Sequence, residues 1–402
     1  MYLDEAVVIV LAGGVGERLY PLTRERAKPA VYFGGPYRII DFTLSNCINS
    51  GLRRIYIATQ YKSLSLNRHV RLGWNVVSVE LGVFIEVLTP QKRVGDHWYQ
   101  GTADAVYQNL YSILPENPKH VIVLSGDHVY KMDYGKLLRT HIDQGAKATV
   151  GVLEIPAEEA SRFGVVRIDA RDRVTGFLEK PKDPALLGGA ATVLASMGIY
   201  VFETETLKRV LEEDAARETA HDFGRDIMPL LIAEAPVFAH RFHDENKKAA
   251  QYWRDIGTLD AYYEANMDLC RVNPQFNLYD PDWPLRTHQP QAPRGTNTSR
   301  STMALRMRAW RPTRTPGIRM LFSIVQKLCT RTLGQSTLPE TRLPEMMQPA
   351  EMIESSAWPH RRPSSAKTNF AGGACGWCVR SGQSGSYRLN CGLTRHRSMF
   401  AS

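Results

Sequence analysis

Long apolar runs are missing from this chain. None approaches the roughly 20 residues of a membrane-spanning helix, so no anchor of that kind is expected. The opening residues, Met1-Tyr2-Leu3-Asp4-Glu5, are acidic and lack the basic segment that begins a secretory signal. Cysteine is scarce as well. Of the 6 cysteines only Cys47 and Cys270 precede residue 293, too few for a disulfide framework. These absences predict a cytoplasmic enzyme with no membrane partner. Aspartate is absent from residues 293–402, which hold 15 Arg and 2 Lys against 4 Glu, a net charge of +13. Residues 1–292 hold 33 basic and 37 acidic residues, a net of −4, so the overall +9 is a property of the tail. The body therefore has no charge signature of a nucleic-acid binder, and no specific nucleic-acid partner is expected.

In the body, apolar strands alternate with amphipathic helices, the pattern of an α/β protein with a doubly wound, mostly parallel sheet. Strands are predicted at Ala6–Leu11, Arg54–Thr59, Leu81–Leu88, His120–Ser125, Ala148–Glu154 and Ser196–Phe202. Val165–Ile168 and Val174–Leu178 read as a hairpin. Helices are predicted at Asp41–Ser50, Thr102–Ile113, Asp133–Gln144, Glu203–Glu213 and Leu259–Leu269. The chain divides into a catalytic domain over 1–270, a connector over 271–292 that leaves the domain, and a basic tail over 293–402. The tail has no sustained period and reads as disordered or poorly folded.

The densest signal lies at residues 11–30, LAGGVGERLYPLTRERAKPA. An apolar strand runs into Gly13, Gly14 and Gly16, whose missing Cβ atoms let backbone N–H groups approach an anion. Arg18 and Lys28 add positive charge nearby. The string is not a P-loop, because no Lys-Ser or Lys-Thr follows Gly16 at the required spacing. It is not a dinucleotide fingerprint either, because Glu17, Arg18 and Leu19 stand where the third glycine belongs. A strand, a glycine loop and two cations make a cradle for a nucleoside triphosphate. Asp127 follows the strand His120–Ser125, at the sheet edge where parallel strands present ligands.

Further strings accompany the loop in order: Gly34-Gly-Pro-Tyr-Arg-Ile-Ile-Asp-Phe, Trp98-Tyr-Gln-Gly-Thr-Ala-Asp-Ala, Ser125-Gly-Asp-His, Phe163-Gly-Val, Phe177-Leu-Glu-Lys-Pro, Ala195-Ser-Met-Gly, His221-Asp-Phe-Gly and Tyr252-Trp-Arg-Asp. On these residues the chain resembles the bacterial glucose-1-phosphate adenylyltransferases among the sugar-nucleotide pyrophosphorylases. The resemblance implies a sheet of the nucleotide-diphospho-sugar transferase type. It also implies transfer of AMP from ATP to glucose 1-phosphate, giving ADP-glucose for glycogen synthesis. A UTP- or dTTP-using relative, or a non-catalytic or inactive homologue, is the alternative. The resemblance assigns Arg18, Lys28 and Asp127 to catalysis and Asp127 and Asp255 to Mg²⁺. Leu11, Ala12, Gly13, Gly14, Gln91, Gly101 and Thr102 go to the nucleotide. Tyr99, Gly164, Glu179, Lys180 and Ser196 go to the sugar phosphate. Glu179 and Lys180 share one site only if their strand breaks, which Pro181 favours.

The resemblance ends near residue 292. Family members carry a C-terminal left-handed β-helix that supports a homotetramer and allosteric regulation, yet the tail has no hexapeptide repeat. Its composition resembles a frame-shifted reading of that domain, which puts the tetramer in doubt. Cys375, Cys378, Cys391 and His396 have zinc-like spacing, but in such a tail chance accounts for it. Pro36 stands where many relatives carry a basic residue associated with activator binding.

Overall fold

A computed structural model describes residues 2–75, 82–91, 96–248 and 250–289. The tail 293–402, with its cysteines, and the expected strand start at Leu81 lie outside the described residues.

In chain order the strands are β1 (Ala6–Leu11), β2 (Tyr32–Phe33), β3 (Tyr37–Arg38), β4 (Arg54–Ala58), β5 (Phe84–Leu88), β6 (His120–Ser125), β7 (His128–Tyr130), β8 (Ala148–Pro156), β9 (Gly164–Ile168), β10 (Val174–Glu179), β11 (Thr192–Glu203), β12 (Val237–Arg241) and β13 (Trp253–Asp255). The helices are α1 (Ile39–Asn49), α2 (Leu64–Gly73), α3 (Thr102–Tyr107), α4 (Leu110–Ile113), α5 (Tyr134–Asp143), α6 (Thr204–Ala215), α7 (Met228–Glu234) and α8 (Leu259–Asp268).

Among the described residues nine strands form one sheet, in the order β10-β9-β11-β6-β1-β4-β5, with β8 on β11 and β12 on β8. β6, β1, β4 and β5 run parallel, as the doubly wound pattern predicts. β11 runs antiparallel to both β6 and β8, a reversal that strand–helix alternation does not reveal. The continuous apolar sequence of β1 suits a strand covered on both faces. Val7 and Ile9 pack into one core layer; Ala6, Val8 and Val10 pack into the other.

Two expectations are corrected. The single helix expected over Thr102–Ile113 is split into α3 and α4. Asn109 lies at the break, where its side-chain amide donates to the Ala105 carbonyl at 2.7 Å and to the Tyr99 hydroxyl at 2.7 Å. Asparagine side chains compete in this way with the helical ladder. Residues 271–289, expected to leave the domain, instead lie along α1. Phe276 is buried against Phe42 and Tyr252. Trp283 Nε1 donates to Asn46 Oδ1 at 2.8 Å, and Thr287 Oγ1 to Asp41 Oδ2 at 2.6 Å. The Lys131 ammonium, itself buried, pairs with Asp280 at 2.9 Å.

Candidate active site

The register of β1 on β6 sets Leu11 beside Ser125, so the glycine loop and the Gly126-Asp127 turn leave the sheet as neighbours. The Gly126 amide donates to the Leu11 carbonyl at 3.0 Å, and the Ala12 amide to Ala58 at 2.8 Å. Gly16 makes the tight part of the loop: its φ is +67°, and a Cβ there would stand 3.0 Å from both Lys28 Cβ and Thr23 Cγ2. Glycine meets both demands. Gly13 and Gly14 precede this turn; Gly14 faces open space and Gly13 lies against Gln60.

β13 pairs antiparallel with β7, opposing Asp255 to His128. Two carboxylates 128 positions apart in the sequence thereby meet. Lys28, in a 3₁₀ turn, sends its ammonium between them, 2.9 Å from Asp127 Oδ2 and 3.1 Å from Asp255 Oδ1. Ser125 Oγ donates to Asp127 Oδ1. His128 Nε2 lies 3.5 Å from Asp127 and 3.9 Å from Asp255. Burial alone would pull the Lys28 ammonium down, but Asp127 and Asp255 outweigh it and hold it above the usual lysine range. Burial acts to raise the Asp127 carboxyl, yet Lys28, His128 and Ser125 hold it well below the usual carboxylate range. Arg18 is exposed and reaches the same place: a Cβ on Gly257 would be 3.3 Å from Arg18 Nη2 and 2.9 Å from Asp255 Oδ2.

Donor atoms of Asp127, His128 and Asp255 lie within 4.8 Å of one another. Two neighbouring carboxylates suit a hard divalent cation, which takes one or two carboxylates and completes its shell with phosphate oxygens and water.

A second group of side chains lies at the end of β10. Glu179 closes the strand, and Lys180 turns back with φ +46°, its amide donating to the Phe163 carbonyl at 3.1 Å. This break puts the Lys180 ammonium against Glu179 Oε1. The Glu179 carboxylate lies close to Gly164 and Gly224, where a Cβ would come within 2.9 and 2.6 Å of Oε2. Ser196 is buried in β11, where the register with β8 shifts between Ser196 and Tyr200; its Oγ lies 3.3 Å from the Tyr200 hydroxyl.

The remaining expected residues stand differently. A Cβ at Gly101 would be 2.2 Å from the His221 carbonyl, so packing of the 220–221 backbone alone requires glycine there. The Thr102 hydroxyl is already engaged, donating to Asp222 Oδ2 at 2.9 Å and accepting from the Phe223 amide at 3.0 Å. Tyr99 is half-buried, held through its hydroxyl by Asn109. Gln91 is exposed beyond β5. Sequence reading gave no role to Ser125, His128, Gly224 or Arg162, although the first three lie in the strings that carry the resemblance. The first two flank Asp127 and their adjacency was the available signal; Arg162 is seen only in three dimensions.

A family profile described as "Nucleotidyl transferase" matches residues 7–272, and the glycine loop facing a pair of carboxylates lies wholly within that span. A glucose-1-phosphate adenylyltransferase of Koribacter versatilis is 59% identical over 293 residues, covering 72% of this chain and 70% of the relative. One from Rhodopirellula baltica is 54% identical, covering 72% and 66%. Glucose-1-phosphate adenylyltransferase 2 of Vibrio cholerae is 50% identical, covering 75% of each. The chain belongs to the nucleotidyl transferase family and, within it, to the glucose-1-phosphate adenylyltransferases. Among the described residues no helix is long and apolar enough to cross a membrane.

Proposed function

We propose that this chain transfers the adenylyl group of ATP to glucose 1-phosphate in the cytoplasm, forming ADP-glucose and pyrophosphate. The observation that carries the reading is the Lys28 ammonium seated between Asp127 and Asp255 beside the glycine loop. Membership of a family whose relatives bear that activity in their names supports the choice of nucleotide and sugar.

A phosphate oxygen of glucose 1-phosphate attacks the α-phosphorus of ATP. The bond from that phosphorus to the α,β-bridging oxygen breaks, and pyrophosphate leaves in line. The attacking phosphate is already anionic at neutral pH, so no side chain need remove a proton. Asp127 and Asp255 would hold Mg²⁺, which when bound neutralises phosphate charge and fixes the phosphates' alignment. Lys28 and Arg18 offset the charge growing on the leaving group. The backbone of Leu11, Ala12, Gly13 and Gly14 lines the nucleotide, with Gln91, Gly101 and Thr102 beside it. Lys180 holds the sugar's phosphate; Glu179, Gly164, Ser196 and Tyr99 border the sugar.

Pyrophosphate release with glucose 1-phosphate and ATP, UTP or dTTP tests the reading. ATP is expected to be used best, and release is expected to stop when the divalent cation is chelated. Preference for UTP or dTTP would overturn it.

A further inference from the structure

We infer that Arg162 grips the phosphate of the sugar 1-phosphate, as a substrate-binding residue additional to Lys180. The inference rests on the adenylyl-transfer reading above. In that reaction the sugar's phosphate must lie between two groups of residues: the carboxylates at the ends of β7 and β13, and Glu179 and Lys180 at the end of β10. Arg162 sits on that boundary. It closes the 3₁₀ helix Ala157–Arg162 and immediately precedes Phe163, whose carbonyl accepts from the Lys180 amide. From there its guanidinium reaches across to the other group, with one nitrogen 3.7 Å from Asp255 Oδ2.

Nothing described saturates this guanidinium. Its approaches to Asp255 and Glu159 are both 3.7 Å, beyond hydrogen-bonding distance, so its donors are not spent on either acid. Asp255 bonds Lys28 at 3.1 Å through its other oxygen, Oδ1. The guanidinium lies 5.4 Å from the centre of the Phe163 ring, and that ring packs edge-on against Trp253 of β13 at 5.3 Å. The side chain is 45% exposed, leaving the head free to turn by the small amount that a phosphate requires. A planar fork of donors matches two phosphate oxygens at once, which an ammonium does not. A ring beneath the guanidinium, unspent donors and a position between the two groups assign it to the sugar's phosphate rather than to ATP.

Titration calorimetry with glucose 1-phosphate, together with steady-state kinetics, tests this on the full chain. Arg162→Ala is expected to weaken glucose 1-phosphate binding and raise its KM by about tenfold or more, the scale of a charge-assisted hydrogen bond. The KM for ATP is expected to stay put and kcat to change little. Arg162→Lys is expected to recover only part of the loss, because the fork is gone. An Arg162→Ala enzyme with unchanged glucose 1-phosphate affinity and KM would overturn the inference. So would a fall in kcat alone, which would tie Arg162 to Asp255 instead. Failure of the unaltered protein to release pyrophosphate from ATP would sink the adenylyl-transfer reading, whereas calorimetry judges Arg162 independently of turnover.

Discussion

The two ends of the site are built differently. At the carboxylate end, Lys28, Ser125, His128, Asp127 and Asp255 are tied to one another within a few ångströms, and the lysine side chain is only 9% exposed. At the sugar end, Lys180 is 62% exposed, and its described partner is the neighbouring Glu179. Arg162, between them, is half-open. Preorganised charge helps most where charge develops during reaction, because it needs no rearrangement in the transition state. Solvent-exposed groups suit a substrate that must enter and leave. The contrast assigns rate to the tied end and affinity to the open end.

The largest effect should come from breaking the tied end. Asp127→Asn keeps the shape but removes the charge that holds Lys28 and would face the metal. We expect kcat to fall by roughly a thousandfold, the scale of losing a preorganised electrostatic group. The KM for glucose 1-phosphate should change only a few-fold. Single-turnover measurement of pyrophosphate release checks this; retained turnover with weakened sugar-phosphate binding would reverse the roles of the two ends.

Much of this was legible because the parallel strands are continuous apolar runs. β1 and β6 fall where periodicity places them, and the loop at their ends is spelled out by Gly13, Gly14 and Gly16. The antiparallel course of β11 is not local information, since a strand's direction in a sheet depends on where the chain has come from. β7 and β13 are three residues each, too short to leave a period, yet their pairing brings Asp127 to Asp255. The resemblance named both aspartates; only the register explains why they meet. The path of 271–289 along α1 was hidden for another reason. Prolines and polar residues read as a linker, whereas Phe276, Trp283 and Thr287 find partners that sequence alone does not identify.

Acid offers a second way to sharpen the contrast. Lys28 is held above, and Asp127 below, their ordinary ranges, so both keep their charge as pH falls from 7 toward 5. Elsewhere, His141 of α5 is buried, bonded through Nδ1 to Thr149 at 2.9 Å, with Nε2 lacking a partner among the described residues. Burial, then neighbouring His120, pushes its pKa from 6.5 down to about 4. The unfolded chain therefore takes up this proton first. Stability is full above pH 6.5 and drains away as pH falls from there toward 4, by at most on the order of 3 kcal/mol. Urea midpoints between pH 7.5 and 4.5 should drop less steeply in His141→Gln. Equal slopes would clear His141.

The smallest effect is expected at the open end. Lys180→Gln removes an ammonium that solvent already reaches, and the Gln side chain can still donate a hydrogen bond to Glu179, which is 23% exposed. A pair with its cation open to solvent contributes modestly to stability, so the thermal midpoint should fall by no more than a few degrees. On the proposed reading, what disappears is a contact to the sugar's phosphate made equally in ground and transition states. Removing such a contact raises KM and spares kcat. We expect the KM for glucose 1-phosphate to rise about tenfold, the worth of one charge-assisted bond. The KM for ATP and the value of kcat should stay within a few-fold. Initial rates over a grid of both substrates separate these quantities. A collapse of kcat like that of Asp127→Asn would mean that the two ends act as one unit, and that the contact of Lys180 strengthens in the transition state once both substrates are in place.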